Sequence, residues 1–256
     1  MSATSRITVL TAATAAVAAA MGSAFAVAPT AVTASSHAFR LAPISAHRIV
    51  APDGRITHST SSNWAGYSAT GSTFTSVSAS WVQPTVKCSS QTTYSSFWIG
   101  IDGDGSDSVE QTGTEADCSG GQPQYYSWYE MYPAYPVNYS NTVRPGDHFT
   151  STVSVSGSTF TLKLTDTTEG WTKTTTKKSS TAQDASAEII AEAPSSSSVL
   201  PLANFGTANF TGATANGQPI GNFSPDQINM GSGSTTKAST SALSGGENFS
   251  VTWKHS

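Results

Sequence analysis

Short runs in which apolar and polar residues alternate recur along most of this chain. The clearest example is "HFTSTVSVSGSTFTLKLTD" (residues 148–166), where two such runs flank the Gly-containing turn of "VSGSTF" (residues 155–160). A period of two places alternate side chains on opposite faces of a strand, and two such runs joined by a tight turn indicate a β-hairpin. Similar runs, separated by Gly, Pro, Asn and Asp, fill the chain beyond residue 59. The pattern predicts an all-β fold, an antiparallel two-sheet β-sandwich or jelly roll.

The composition favours the same class. Charged residues make up 11% of the chain, against roughly 25% in an average domain. Helix-favouring Glu, Lys and Leu give way to Ser, Thr, Val, Tyr and Trp, which is typical of exported all-β proteins. Residues 59–256 hold eight Lys and Arg against fifteen Asp and Glu. Because a negative body without a basic patch repels polyanions, we expect no nucleic-acid partner.

The N-terminal region has the organisation of a secretory precursor. Residues 1–26 contain an early Arg, an Ala- and Val-rich run and the sequence Ala-Phe-Ala, which together indicate a signal peptide. We expect a secreted, extracellular protein with no membrane association after cleavage. An uncleaved membrane anchor is the alternative, but the apolar run is short and weakly hydrophobic.

The segment after the expected signal peptide has no sustained periodicity. We interpret residues 27–58 as a pro-segment or tether and residues 59–256 as one domain, a monomer by default. Three basic residues of the segment, Arg40, Arg48 and Arg55, could dock on the acidic domain at neutral pH and release it when carboxylates are protonated. A spacer with no inhibitory role explains the same sequence.

The two cysteines, Cys88 and Cys118, lie in polar loops. In an exported protein they are expected to form one disulfide, a constraint worth about 3 to 4 kcal/mol by chain-entropy reasoning. Two cysteines alone make no zinc site, and the acidic loop "DGDGSDS" (residues 102–108) lacks the Gly and Glu positions of an EF-hand. No phosphate-binding Gly motif occurs either, so we expect no metal and no cofactor.

The common hydrolase motifs are absent from the sequence. There is no G-x-S-x-G elbow and no H-E-x-x-H motif. His148 follows the turn residues Pro-Gly-Asp, where a histidine is usually solvated or capping, which disfavours a Ser-His-Asp triad. Neither cysteine lies in a recognisable thiol-nucleophile context. Carboxylates are therefore the remaining catalytic candidates.

The strongest carboxylate candidates are Glu188 and Glu192 in "DASAEIIAEAP". In a strand they share one face with Ile190, an arrangement that is costly unless the face lines a cleft. An edge strand with solvated Glu side chains explains the same pattern. A jelly-roll glycosidase with both carboxylates on one strand is a further alternative, but four residues span roughly 13 Å, against the 5 to 5.5 Å that a retaining enzyme needs. A non-catalytic carbohydrate-binding lectin would use the same sandwich and aromatic faces.

Six stretches, in order, resemble the glutamic peptidases of the G1 type, also called eqolisins. They are "SSNWAGY" (61–67), "FTSVSASWVQP" (74–84), "FWIGIDG" (97–103), "EQTGTE" (110–115), "WYEMYP" (128–133) and "SAEIIAEAP" (186–194). The likeness extends across almost all of residues 59–256. It implies a concanavalin-like two-sheet sandwich and a secreted endopeptidase that is active in acid. Its substrates would be proteins or peptides.

The resemblance also implies a catalytic pair, which falls by motif on Gln111 and Glu192. The carboxylate of Glu192 would take a proton from a water molecule that attacks the peptide carbonyl, while Gln111 would donate hydrogen bonds to the oxyanion. The protonated Glu192 would then give its proton to the leaving amine. Because an amide does not titrate, such a pair needs only one ionisation state, and an unperturbed Glu near 4.3 suits mildly acidic conditions.

By the same motifs, substrate contacts fall on Trp64, Trp98, Asp102, Trp128 and Glu130. Aromatic faces can hold the side chains of an extended peptide, and the two acids could hydrogen-bond near the glutamine or set the acidic pH range. Core packing is the alternative role for each tryptophan. In some fungal members of the family an Asp matches Tyr126, so the acidic network there differs.

Overall fold

The computed structural model of the chain describes residues 40–42, 46–50 and 56–256. The expected signal peptide, residues 1–26, lies outside the described residues, as does most of the expected pro-segment, residues 27–58. No helix in the described part of the chain has both the length and the apolar character needed to cross a membrane.

The described residues form strands and loops, with a single 3-10 turn at Ile220–Phe223. The strands in chain order are β1 (Ala46–Val50), β2 (Ile56–Ser61), β3 (Trp64–Thr70), β4 (Ser76–Val82), β5 (Ser96–Ile101), β6 (Val109–Ser119), β7 (Gln122–Tyr132), β8 (Val137–Asn138), β9 (His148–Ser156), β10 (Thr159–Asp166), β11 (Trp171–Lys178), β12 (Ser186–Glu192), β13 (Thr207–Ala215), β14 (Gln218–Pro219), β15 (Asp226–Ser232), β16 (Thr235–Thr240) and β17 (Phe249–Trp253). The hairpin predicted from "VSGSTF" is the β9–β10 turn.

The strands pair into two layers. The front sheet has the order β1-β2-β15-β3-β12-β5-β6-β7-β8. The back sheet has the order β16-β17-β13-β4-β9-β10-β11, with β14 beside β13. Strand β16 also pairs with β15 and so joins the layers at one corner. Among the named strands of the described residues, every pairing is antiparallel except β2 with β15, which confirms the predicted antiparallel β-sandwich.

The main hydrophobic core fills the space between the two sheets. From the front sheet it receives alternate residues of β3, β5 and β12, such as Ile99 and Ile189, and from the back sheet residues such as Phe149 and Phe210. The opposite face of the front sheet, which we call the cleft face, carries a second and smaller cluster of buried apolar residues. Residue 59, where the domain was expected to begin, lies inside β2.

Strand β12 is a central strand, and the edge-strand interpretation of its glutamates is wrong. It lies between β3 and β5 and pairs with both along its length. Ala187 and Ile189 face the main core, whereas Glu188 and Glu192 lie on the cleft face and are fully buried. Donors from Trp98, Asn63 and Ala42 meet Glu192 in place of water, and Ser68 contacts Glu188. The strand's own sequence does not reveal these partners.

The register of β5, β6 and β7 aligns the other candidate residues on the cleft face. Gln111 lies directly opposite Glu130, and Gly113 lies between Trp98 and Trp128 on the flanking strands. A Cβ atom on Gly113 would come within 2.6 Å of the Trp98 Cβ. Glycine at this position therefore permits the close approach of β5 and β6.

The predicted disulfide between Cys88 and Cys118 is confirmed, with 5.4 Å between the Cα atoms. It ties the loop after β4 to the end of β6, the strand that carries Gln111. The predicted loop position of Cys118 is wrong, since this residue lies within β6 and is fully buried in the main core. The disulfide therefore fixes β6, the strand that carries the catalytic candidate Gln111, to the long loop after β4.

Replacing both cysteines with Ala should lower the free energy of unfolding by about 3 kcal/mol, because the unfolded chain regains the entropy of a loop of roughly 30 residues. Urea denaturation followed by tryptophan fluorescence measures the change. The substitution Ser89→Ala, in the same loop, should leave the midpoint unchanged. An unaltered midpoint in the double variant would contradict a stabilising role for the disulfide.

Candidate active site

Gln111 and Glu130 form a hydrogen-bonded pair on the cleft face. The Nε2 atom of Gln111 donates to Glu130 Oε2 at 2.9 Å, and both side chains are fully buried. The pair follows from the register, since the two residues are direct neighbours on β6 and β7. Among the described residues, Gln111 Oε1 and Glu130 Oε1 have no hydrogen-bond partner. The pair thus retains an amide acceptor and a carboxyl oxygen for other groups.

Glu192 ends β12 and is held by donors from two other parts of the front sheet. The indole Nε1 of Trp98 donates to its Oε2 at 2.9 Å, and Asn63 Nδ2 donates to its Oε1 at 3.4 Å. Trp98 in turn packs edge to face against Trp64, with ring centroids 5.1 Å apart. These contacts fix the carboxyl group in one orientation, as a catalytic group requires.

Residues 40–42 lie in the cleft and connect the two candidate catalytic side chains. Gln111 Nε2 donates to the carbonyl oxygen of Leu41 at 2.9 Å, and the Ala42 N–H donates to Glu192 Oε1 at 3.0 Å. The carbonyl and the N–H belong to a single peptide bond. The Leu41 N–H donates to Glu130 Oε2 at 3.2 Å. The cleft therefore holds a peptide group with an amide at one end and a carboxyl group at the other.

The side chain of Leu41 is 1% exposed and belongs to the small apolar cluster of the cleft face. The cluster contains three indole rings and three aliphatic side chains besides Leu41: Trp64, Trp98, Trp128, Val109, Ile190 and Ile228. It is separate from the main core between the sheets. This cluster is an apolar pocket for one side chain of the segment that fills the cleft.

Burial governs the electrostatics of Glu192 and Glu130. Desolvation, followed by the nearby charge of Glu130, raises the pKa of Glu192 well above its ordinary value, against the donors Trp98, Asn63 and the Ala42 N–H. Desolvation likewise raises the pKa of Glu130 well above its ordinary value. Since two nearby buried carboxyls resist carrying two charges, the cleft favours a state in which at least one of them holds a proton.

Two further buried carboxyl groups, those of Glu115 and Asp117, lie on the cleft face. The sequence did not predict them as site residues. Burial raises the pKa of Asp117 to about 7, and Tyr126 Oη donates to this carboxyl at 2.6 Å. Burial and the charge of Asp117 raise the pKa of Glu115 well above its ordinary value. Counting by twos from Gln111 along β6 would have placed both acids on the cleft face. Asn63 was also missed, although it precedes Trp64 in a recognised stretch.

The structure brings four of the five predicted substrate-contact residues to this cleft and leaves one apart. Trp64 Nε1 donates to the Ala42 carbonyl at 3.0 Å, and Trp128 packs in the apolar cluster. The carboxylate of Asp102 instead accepts three backbone N–H groups of residues 183–185, at 2.8 to 3.1 Å. Those bonds hold the loop that leads into β12, and the expected substrate contact of Asp102 stays a prediction.

No group of three or more His, Cys, Asp or Glu side chains within the described ranges is arranged to hold a metal ion. The donors and acceptors of the cleft are amide, indole and carboxyl groups. Their chemistry is that of proton transfer and hydrogen bonding.

Comparison with known proteins identifies relatives of this chain. The model of the peptidase A4 family matches residues 62–253. Aspergillopepsin-2 from Aspergillus niger is 30% identical over 207 residues, which are 70% of this chain and 73% of the relative. Scytalido-glutamic peptidase, solved with a transition state analog inhibitor, matches with a TM-score of 0.66 and 25% identity over 75% of this chain and 98% of that one. Aspergilloglutamic peptidase from Aspergillus niger matches with a TM-score of 0.55 and 28% identity, over 63% and 99% of the two chains.

The fold and the cleft together define a class of protein. It is a β-sandwich in which buried amide and carboxyl groups surround a main-chain peptide unit. Because the family model spans most of the sequence, the chain belongs to the peptidase A4 family. It is a glutamic-type endopeptidase, and proteins or peptides are its substrates. The resemblance carried by the six sequence stretches is thereby confirmed, in preference to the glycosidase and lectin alternatives.

The buried acids should make the protein more stable in acid than at neutral pH. Burial raises the pKa of Glu110 to about 8 and that of Asp117 to about 7. The folded chain therefore binds these protons more tightly than the unfolded chain, and its stability falls as the pH rises from about 4 to about 8. The Tm, followed by circular dichroism, should drop by about 2 to 4 °C for each kcal/mol lost. The drop should be smaller in Asp117→Asn, and a Tm that rises over this range would contradict the prediction.

Two substitutions should move the pKa of Glu192 in opposite directions. Glu130→Gln removes a negative charge that opposes ionisation, so the pKa should fall. Trp98→Phe removes a donor that stabilises the carboxylate, so the pKa should rise. Titration of ¹³C-labelled Glu carboxyls in the full chain measures both shifts. If the pKa of Glu192 shifted in the same direction in both variants, the contacts with Glu130 and Trp98 would not control its ionisation.

Proposed function

We propose that this protein is a secreted acid endopeptidase in which Gln111 and Glu192 act together on the scissile peptide bond. The observation that carries the proposal is the contact of both side chains with one peptide group, at its carbonyl oxygen and at its nitrogen. A hydrolase of peptide bonds needs an electrophilic contact at the first position and a proton donor at the second. Gln111 donates at the carbonyl oxygen, and Glu192, which accepts the N–H, lies close enough to the nitrogen to deliver a proton once it is protonated.

The reaction begins with Glu192 as a carboxylate. It takes a proton from a water molecule, whose oxygen adds to the carbonyl carbon and forms a tetrahedral oxyanion. Gln111 Nε2 donates to that oxygen, a contribution typically worth about 10² to 10³ in rate. The Oε1 atom of Gln111 is an acceptor with no partner among the described residues, and it would orient the water. One amide thus serves both the nucleophile and the developing charge.

The second half of the reaction needs a proton at the leaving nitrogen. Glu192 Oε1 lies 3.0 Å from the amide nitrogen of Ala42, within reach for direct transfer. The carboxyl group that accepted the water proton would deliver it there. The C–N bond then breaks and Glu192 returns to its ionised form. A single carboxyl group acts in turn as base and acid.

Glu130 explains why the reaction would be confined to acid. Its Oε2 accepts hydrogen bonds from Gln111 and from a backbone N–H, which leaves Oε1 as the position for a proton. A neutral Glu130 adds no negative charge beside the oxyanion, whereas an ionised Glu130 repels it. Activity should therefore fall at high pH when Glu130 loses its proton, and at low pH when Glu192 gains one.

The sequence supports a precursor that is exported before it acts. Residues 1–26 would be removed as a signal peptide, and residues 27–58 would form a pro-segment ahead of the domain. The mature enzyme would work outside the cell as a monomer, free of the membrane, on proteins or peptides. The stability that the buried acids confer at low pH suits such an environment.

The substitutions Gln111→Ala and Glu192→Gln should each reduce acid proteolysis by at least about 10² to 10³ while the fold is retained. The assay is digestion of a denatured protein between pH 2 and 8, with circular dichroism to verify folding. Glu188→Gln is the matched control, because the residue lies on the same face of the same strand and is equally buried. Its activity should stay within a few-fold of wild type. Full activity in Glu192→Gln would contradict the mechanism.

A further inference from the structure

We propose that the peptide bond between Leu41 and Ala42 is this chain's own first substrate, cut within the same molecule to open the cleft. The inference rests on the proposed function of Gln111 and Glu192. It adds a cleavage site, the direction in which a peptide lies in the cleft, and the kind of side chain that the pocket on the acyl side accepts.

The direction of residues 40–42 is the productive one. The oxyanion donor Gln111 contacts the carbonyl oxygen of Leu41, and the proton donor Glu192 contacts the nitrogen of Ala42. If the chain ran the opposite way, the carboxyl group would face a carbonyl and the amide Nε2 would face an N–H. Leu41 is therefore on the acyl side of the bond and Ala42 on the leaving side.

Every backbone polar group of Leu41 and Ala42 is met by a cleft side chain. Glu130 accepts the Leu41 N–H, Gln111 binds its carbonyl, and Glu192 accepts the Ala42 N–H. The Ala42 carbonyl accepts two hydrogen bonds, at 3.0 Å from Trp64 Nε1 and at 3.2 Å from Asn63 Nδ2. Because side chains rather than a strand ladder supply these contacts, they make a binding site for a dipeptide unit of an extended chain.

The chain on the acyl side is held as an added strand. Arg40 and Ser195 exchange two backbone hydrogen bonds, at 2.7 and 2.8 Å, which is how many proteins hold extended peptides. The Arg40 guanidinium also lies over the ring of Tyr135, 4.1 Å from its centroid. An open cavity of about 540 Å³ lies beside this point and is lined in part by Tyr132 and Ser196. The cleft thus continues beyond the dipeptide and has room for more residues of a substrate.

The Leu41 pocket sets a requirement for the side chain on the acyl side. Leu41 is 1% exposed and belongs to one apolar cluster with three indole rings and three aliphatic side chains. A charged side chain would lose its hydration there without gaining a partner of opposite charge. Met, an unbranched apolar side chain of similar volume, would replace Leu there with little change in packing. The pocket therefore accepts an aliphatic residue and rejects an acidic one.

Cleavage would leave the sandwich whole. Water supplies a hydroxyl group to the Leu41 carbonyl carbon and a hydrogen to the Ala42 nitrogen as the C–N bond breaks. Both β1 and β2 follow the cut, so the front sheet keeps all its strands. The new carboxylate of Leu41 would lie beside Glu130 and Glu192, and repulsion among these groups would favour release of the leader. The emptied cleft would then accept other peptides.

The test follows the N-terminus of the full chain after transfer from neutral pH to about pH 4. Intact mass and N-terminal sequencing should identify a product that begins at Ala42. Its first-order rate constant should be unchanged over a 100-fold range of protein concentration, because the bond lies in the molecule's own cleft. Glu192→Gln should remain uncut. Leu41→Asp should be cut at this bond at least about 100-fold more slowly, whereas the matched control Leu41→Met should be cut within a few-fold of the wild-type rate.

Digestion of a denatured protein, run in parallel, separates failure of this inference from failure of the proposed function. If the wild type digests that protein but does not acquire Ala42 as its N-terminus, self-cleavage at this bond is overturned and the proposed function stands. If the folded wild type cuts neither itself nor the added protein, the proposed function fails and the inference fails with it. A product beginning at Ala42 in Glu192→Gln would assign the cut to another peptidase. A rate proportional to protein concentration would overturn cleavage within one molecule.

Discussion

The cleft depends on keeping carboxyl groups buried within a β-sheet and still hydrogen-bonded. Glu192 lies at the end of a central strand, where solvent does not reach it, and an indole N–H, an asparagine amide and a peptide N–H take the place of water. Each donor comes from a different segment of the chain. The donors hold the carboxyl group in one orientation, whereas burial raises its pKa. Both properties are useful in a group that must give and take a proton.

The neutral amide at position 111 follows from the same constraint. Glu130 lies directly opposite it on the next strand, and a second acid there would need another proton to remain neutral in a buried site. An amide donates to Glu130 and to a peptide carbonyl through one nitrogen, whatever the pH. Its oxygen stays an acceptor at the same time. Gln111 therefore combines functions that two carboxyl groups could share only over a narrow pH range.

Much of the fold could be predicted from the sequence, because period-two alternation and Gly-containing turns are local signals. The hairpin of β9 and β10 and the disulfide are examples. The position of β12 could not be predicted, since its glutamates suggested exposure and their partners Trp98 and Asn63 are remote in sequence. Family motifs brought Gln111 and Glu192 to notice, but they also included Asp102, whose carboxylate holds a loop.

The location of residues 40–42 was the least accessible part of the site. In the sequence, Arg40 stands out only by its charge. The segment around it has no periodicity, and nothing in residues 40–42 indicates that they fill a cleft. Their partners Gln111 and Glu192 are 70 and 150 residues further along the chain. Contacts of this kind depend on the finished fold, in which a buried row of side chains offers donors and acceptors at the spacing of a peptide backbone.

A crystal structure of the full chain carrying Glu192→Gln, grown in acid, tests the central claim most directly. The account predicts the Leu41 carbonyl oxygen within hydrogen-bond distance of Gln111 Nε2, and the Ala42 nitrogen next to the side chain at position 192. A folded chain in which no peptide group lies between those two side chains would contradict it.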